Sequence, residues 1–289
     1  MKLSKLTDRA ARIGLPALFA AGAVAAGAPA VASASVSSNW AGYVALPATA
    51  AHFSSVSGTW REPTATCTAG RESSSAVWAG LGGYNERSPA LEQIGTDADC
   101  SRAGTPSYSA WYELIPAGPV NLRIVIHPGD EVTASATVRA HDATLAIRDL
   151  TTGAHFQVTR RVAAVDVSSA EWIVEAPSLC TASDDCSTLA LTDFGSVAFS
   201  AATATAAGHT GPVADPAWSS DLIELHQEGA AVPLARSRRR GPLEHQLLTA
   251  VPSPLTQASG AFTVSWQEQP LAQEQPQGTT LPGFGGGPP

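Results

Sequence analysis

Three strand-like runs set carboxyl or amide side chains among large apolar ones. In Glu171-Trp172-Ile173-Val174-Glu175, alternation puts Glu171, Ile173 and Glu175 on one face and Trp172 and Val174 on the other. In Trp111-Tyr112-Glu113-Leu114-Ile115 the same rule groups Trp111, Glu113 and Ile115, and in Leu91-Glu92-Gln93-Ile94-Gly95 it groups Leu91, Gln93 and Gly95. A carboxylate buried among Trp and Ile without a partner is costly. Such faces therefore either meet water or converge on a carboxylate-lined groove, and the recurrence of the pattern in aromatic-rich segments favours the groove. Glu113 and Glu171 on adjacent strands would suit a glycoside hydrolase, whose two carboxyls stand ~5–9.5 Å apart. Exposed Trp78 and Trp111 would suit a silent module that stacks sugar rings. No G-x-S-x-G elbow, H-E-x-x-H, P-loop or dinucleotide fingerprint occurs.

The elements that must position these side chains are strands. Leu122, Ile124 and Ile126 alternate with polar residues up to a Pro128-Gly129-Asp130 turn. Val132, Ala134, Ala136 and Val138 follow, then Leu145 and Ile147, Phe156 and Val158, and near the C-terminus Phe262, Val264 and Trp266. No capped amphipathic helix follows the first segment. Many short strands with frequent turns predict an all-β fold, a β-sandwich of two stacked antiparallel sheets over residues 35–267.

The N-terminus reads as an export signal. Lys2, Lys5, Arg9 and Arg12 precede a 16-residue apolar run over 13–28, and Ala32-Ser33-Ala34 fits a signal-peptidase site. The run is short of the ~20 residues of a spanning helix. Cleavage after Ala34 makes 1–34 a signal peptide and leaves a secreted, extracellular chain of 13 arginines against 24 acids, net −11. That balance argues against nucleic acid, whose counterions only a basic surface displaces, and no further segment suits a membrane. Cys67, Cys100, Cys180 and Cys186 lack metal-site spacing, and no metal is expected. In an oxidising compartment two disulfides are expected: Cys180–Cys186 around the turn-like Thr-Ala-Ser-Asp-Asp, and by elimination Cys67–Cys100. The basic run Arg236-Ser237-Arg238-Arg239-Arg240 reads as an exposed loop, with cleavage by another protease as the functional alternative. Residues 268–289, rich in Gln, Pro and Gly, are expected to be a disordered tail.

Taken together, the motifs resemble the glutamic peptidases, the eqolisins or peptidase family G1, once classed with aspartic peptidases as A4. The stretches that carry the resemblance are Ser38-Asn39-Trp40-Ala41-Gly42-Tyr43, Phe53-Ser54-Ser55-Val56-Ser57-Gly58-Thr59-Trp60, Val77-Trp78-Ala79-Gly80-Leu81-Gly82-Gly83, Gln93-Ile94-Gly95-Thr96-Asp97, Ala110-Trp111-Tyr112-Glu113, Pro128-Gly129-Asp130, Glu171-Trp172-Ile173-Val174-Glu175 and Phe194-Gly195-Ser196-Val197. The resemblance implies a concanavalin-like, jelly-roll type of sandwich with a substrate groove on its concave face. It also implies a secreted, pepstatin-insensitive acid endopeptidase acting on polypeptides, without cofactor, expected as a monomer. By motif the dyad is Gln93 and Glu171, the first Glu of E-W-I-V-E. Glu171 would activate water and Gln93 would stabilise the oxyanion. Trp78, Asp97, Trp111 and Glu113 fall where the family lines its groove. Neighbouring acids resist ionising together, so an acidic working range is expected.

The chain departs from the family in three places, one of them the basic run from Arg236 to Arg240, which looks inserted relative to the family pattern between Leu225 and Phe262. Gly82 stands where some members carry Asp in Trp-x-Gly-Ile-Asp-Gly, so part of the polar network is missing or replaced. Ser35 follows the expected cleavage directly, which leaves the control of premature activity open.

Overall fold

A computed structural model describes residues 34–48, 50–85, 87–180, 186–228, 246–256 and 259–270. The export segment through residue 33, the basic run at 236–240 and the tail beyond residue 270 lie outside the described residues. The strands are β1 (Ser35–Ser37), β2 (Trp40–Pro47), β3 (Phe53–Arg61), β4 (Ser73–Gly82), β5 (Leu91–Cys100) and β6 (Pro106–Ile115). They continue with β7 (Val120–Asn121), β8 (Glu131–Arg139), β9 (Asp142–Asp149), β10 (His155–Arg161), β11 (Ala170–Glu175) and β12 (Ser178–Cys180). The last six are β13 (Cys186–Thr188), β14 (Ser196–Ala206), β15 (His209–Pro212), β16 (Trp218–Glu228), β17 (Gln246–Pro252) and β18 (Phe262–Pro270). No helix occurs among the described residues, so none there is long and apolar enough to cross a membrane.

The hydrogen-bonded path runs β10-β9-β8-β3-β14-β18-β17-β16-β2-β11-β4-β5-β6-β7. Pairing is antiparallel except for β1, which lies parallel to β16. The path folds back on itself: β3 packs on β4 and β11, β8 on β4 and β5, and β9 on β5. These face-to-face contacts make the two layers of the expected sandwich. Period-two alternation explains them. Trp172 and Val174 of β11, Val77, Ala79 and Leu81 of β4 and Ile94 of β5 turn inward to meet Trp60, Val132, Leu145 and Phe199 of the other layer. Two buried indoles find acceptors across the core, Trp172 Nε1 on Ser57 O (2.7 Å) and Trp60 Nε1 on Thr96 Oγ1 (3.0 Å).

The structure adjusts two expectations and meets a third. Leu122, Ile124 and Ile126 do not form a strand; only β7 pairs, and the segment then crosses irregularly toward β8 in the other layer. Its apolar side chains still pack on the core, so the alternation reports burial without a ladder. β18 runs through Pro270, three residues past the expected boundary at Gln267. Cys67 and Cys100 are bonded as expected, with Cα atoms 5.3 Å apart, which ties the segment after β3 to the end of β5. Cys186 is also disulfide-bonded, and the register of β12 and β13 sets it opposite Cys180, whose side chain lies outside the described residues.

Candidate active site

The outward faces of β11, β4, β5 and β6 share a register that orders the candidate residues in rows. One row runs Glu171, Gly80, Gln93, Glu113; the next Ile173, Trp78, Gly95, Trp111; the third Glu175, Ala76, Asp97, Ser109. β11 and β6 are therefore separated by β4 and β5, so Glu113 and Glu171 are not on adjacent strands. At ~4.8 Å per strand their backbones stand ~14 Å apart. Gly95 is required where it stands: a Cβ there would lie 2.2 Å from Val77 O and 2.6 Å from Trp78 Cβ. The Trp78 ring itself lies over Gly80, where a Cβ would fall 3.0 Å from its Cζ3.

A cavity of about 510 Å3 opens over these rows, and its lining includes Gln93, Asp97, Trp111, Glu113 and Glu175. Gln93 is 4% exposed. Its amide Nε2 donates to Glu113 Oε2 at 2.7 Å, while Oε1 is buried without a partner. An ionised carboxylate accepts only, so Glu113 selects the NH2 end of the amide and leaves its second N–H free. Glu175 is half-buried, and each of its oxygens receives a donor: Trp78 Nε1 reaches Oε2 at 2.8 Å and Asn39 Nδ2 reaches Oε1 at 3.3 Å. Burial pushes the Glu175 carboxyl up to about 7, against the pull of the Trp78, Trp40 and Asn39 donors and with the help of charge on Glu113. Burial also raises Glu113, opposed by its bond from Gln93. Asp97 is pushed up to about 8 by burial, then by the Asp99 charge, against the hydrogen bond from Ser109 and the nearby Trp111 indole, with Glu175 adding a smaller push.

Glu171 is placed differently. It is fully buried, does not line the cavity, and neither of its oxygens has a hydrogen-bond partner. Burial holds its pKa well above the usual carboxylate range; the nearby Ser169 hydroxyl offsets little of this, and charge on Asp166 and Glu92 adds to it. Burial thus favours the neutral form of this carboxyl, which does not reach the groove. Trp78 is likewise fully buried, so it touches Glu175 rather than presenting a face to a ligand. Asn39, which sequence reasoning did not single out as a site residue, enters the site from the turn between β1 and β2.

The missing Asp at Gly82 has a replacement. Gly82 adopts φ +82°, and a Cβ on it would fall 2.5 Å from Asp166 Cβ, so the Asp166 side chain fills the space a residue 82 side chain would take. Although burial alone would raise its pKa, bonds from Ser168, Ser88 and the Gly83 amide outweigh it and hold Asp166 below the usual range. The expected result for Gly82→Ala is a loss of at least about 2 kcal/mol, from left-handed strain plus displacement of Asp166. Thermal unfolding would read this as a midpoint lowered by about 4–8 °C; an unchanged midpoint would mean that Asp166 moves freely.

Comparison with known proteins agrees with this architecture. The Peptidase A4 family model matches residues 38–238. Aspergillopepsin-2 of Aspergillus niger is 30% identical over 222 residues, spanning 68% of this chain and 73% of that protein. Scytalido-glutamic peptidase, solved with a peptide-based transition-state analogue, aligns with a TM-score of 0.60 at 21% identity over 80% of this chain and 98% of that one. SCP-B, an eqolisin solved with the tripeptide Ala-Ile-His, aligns with a TM-score of 0.58 at 20% identity over the same shares. At these identities the two structures establish a common fold, while the family match spans every groove residue named above. The chain belongs to the Peptidase A4 family, the glutamic peptidases, and is an endopeptidase of that family.

Proposed function

We propose that Glu175 and Gln93 are the hydrolytic dyad of an exported, pepstatin-insensitive peptidase working in weak acid just below neutrality, where Glu175, pushed up to about 7, is partly ionised. The observation that carries this reading is that Glu175 and Gln93 line one cavity while Glu171, the motif's first Glu, is sealed outside it. A carboxylate that must accept a proton from water has to reach water. Ionised Glu175 takes a proton from a water in the cavity, and the hydroxide so formed adds to the scissile carbonyl. The second N–H of Gln93 Nε2 donates to the developing oxyanion, its first being held by Glu113. Protonated Glu175 then returns its proton to the leaving amine as the C–N bond breaks. Asp97 and Trp111 line the peptide's path in this reading.

The sugar-stacking alternative loses its platforms, because Trp78 is fully buried and Trp111 is 6% exposed. The glycosidase alternative loses its adjacent-strand pair. Export rests on the charged and apolar N-terminal segment read above. The test is cleavage of an unfolded protein by the chain from residue 35 onward, between about pH 2 and 7, with and without pepstatin. Pepstatin-resistant cleavage that falls about 10²–10³-fold in Gln93→Ala is expected. Full inhibition by pepstatin, or wild-type rates in Gln93→Ala, would refute the dyad.

A further inference from the structure

The residues that hold Glu175 lead away from the groove to the first strand. Asn39 Nδ2 donates to Glu175 Oε1 at 3.3 Å. The Asn39 side chain is itself fixed: Ser37 Oγ donates to Asn39 Oδ1 at 3.1 Å, and the same hydroxyl accepts from the Asn39 and Trp40 backbone amides at 3.3 and 3.1 Å. Because Ser37 supplies the proton to Oδ1, the amide must turn its NH2 end toward the carboxyl. Ser37 closes β1, whose parallel register on Ile223–Leu225 of β16 fixes the turn. From the other side, the Ala176 amide donates to Asn39 O at 2.8 Å, so main chain also links the turn to the end of β11. Trp40 packs edge-on against Trp78, with ring centroids 5.0 Å apart, beside the indole that serves the second Glu175 oxygen.

We infer that Asn39 is a positioning residue for the catalytic carboxylate, oriented by Ser37, so that correct seating of the N-terminal strand is a condition for full activity. The inference rests on Glu175 being the base. Its physical content is that one oxygen of Glu175 is held by a neutral donor from β1–β2 and the other by an indole from β4, which leaves the carboxylate's remaining lone pairs to face the cavity. The ionisable groups whose charge bears on Glu175 across the groove face are Glu113 on β6 and Asp97 on β5. Both oppose its ionisation when charged, so a neutral donor on the β2 side is what favours the basic form.

The test uses the chain from residue 35 with Asn39→Ala, Asn39→Asp and Ser37→Ala, and Glu175→Gln as reference. The main-chain bond from the Ala176 amide to Asn39 O survives all three changes, both Asn39 variants keep the Ser37 bonds to the Asn39 and Trp40 amides, and Asn39→Asp keeps the side-chain shape, whereas Ser37→Ala also removes the acceptor of those two amides. Asn39→Ala is expected to lower kcat about tenfold with KM within about twofold, the signature of a transition-state interaction. The acid limb of the kcat/KM profile should move up by about half a unit to one unit, since a donor to the charged form is lost. Asn39→Asp should move it further, and Ser37→Ala should move it less in the same direction. A purely structural role would lower the unfolding midpoint and leave the limb in place. An unmoved limb and unchanged kcat in Asn39→Ala, beside an inactive Glu175→Gln, would overturn the inference alone. Wild-type cleavage by Glu175→Gln would overturn the dyad and the inference together.

Discussion

Glu175→Gln is expected to abolish measurable cleavage, with kcat/KM falling about 10³-fold or more, while Glu171→Gln retains activity within about tenfold of wild type. The two substitutions are chemically identical and lie four residues apart on one strand face, so each controls for the other. Gln at 175 still accepts from Trp78 and fits the space, yet it cannot take a proton from water. Gln at 171 mimics the neutral form that burial favours there. The paired measurement is kcat and KM on one peptide across the acid range, with unfolding midpoints to show that both variants are native. An inactive Glu171→Gln beside an active Glu175→Gln would return the base to the motif's first Glu and imply that the chain over it opens in solution.

The motif alone does not separate these two glutamates, for reasons that lie in the fold. Alternation correctly placed both on the groove face, and it correctly placed Gln93 and Glu113 there. What separates the glutamates is not local. Asn39 reaches Glu175 from 136 residues away in sequence, and Trp78 reaches it from 97. Near Glu171, Asp166 takes the volume vacated by Gly82, a contact visible only when β4 and the approach to β11 are laid side by side. The parallel docking of β1 on β16 had no signal either, since a three-residue strand shows no period. The sandwich and the Cys67–Cys100 bridge were legible because each follows from a rule that ignores partners: alternation for the layers, and pairing by exclusion for the cysteines. The same limit explains 122–126, where alternating burial exists without a neighbouring strand to pair with.

Stability should peak in mild acid and fall steeply toward neutrality, because the fold buries carboxyls in their neutral form. Glu62, 2% exposed beside Thr96 and Trp60, shows this most plainly. Burial pushes its pKa from 4.5 up to about 8, partly offset by the nearby Thr96 hydroxyl and Trp60 indole, with charges on Asp97 and Asp130 adding to the rise. Glu92 is likewise pushed to about 8, by burial and then by the Asp166 charge. A carboxyl whose pKa is higher in the folded chain stabilises it fully below the unfolded value, and that contribution is lost as pH rises through the folded value. Between about pH 4.5 and 8, Glu62 alone accounts for a loss on the order of 5 kcal/mol, comparable to the whole stability of many domains. Asp149 and Asp166 act in the opposite sense: burial would raise both, but the hydrogen bonds they accept hold them low, so their contribution is lost only as pH falls below the usual carboxylate range. Urea unfolding at fixed pH values from 3 to 8 would map the dome. Glu62→Gln, which keeps shape but cannot ionise, should flatten its neutral side; slopes parallel to wild type would show that Glu62 is not the titrating group. The consequence for catalysis follows from opposite demands on similar groups. Glu175 must lose its proton to work, near a pKa of about 7, while Glu62, Glu92 and Glu171 must keep theirs for the groove to exist. Activity is therefore confined between the ionisation of an accessible carboxyl and the forced ionisation of sealed ones, and Glu62→Gln should widen that interval on its neutral side without moving its acid limb.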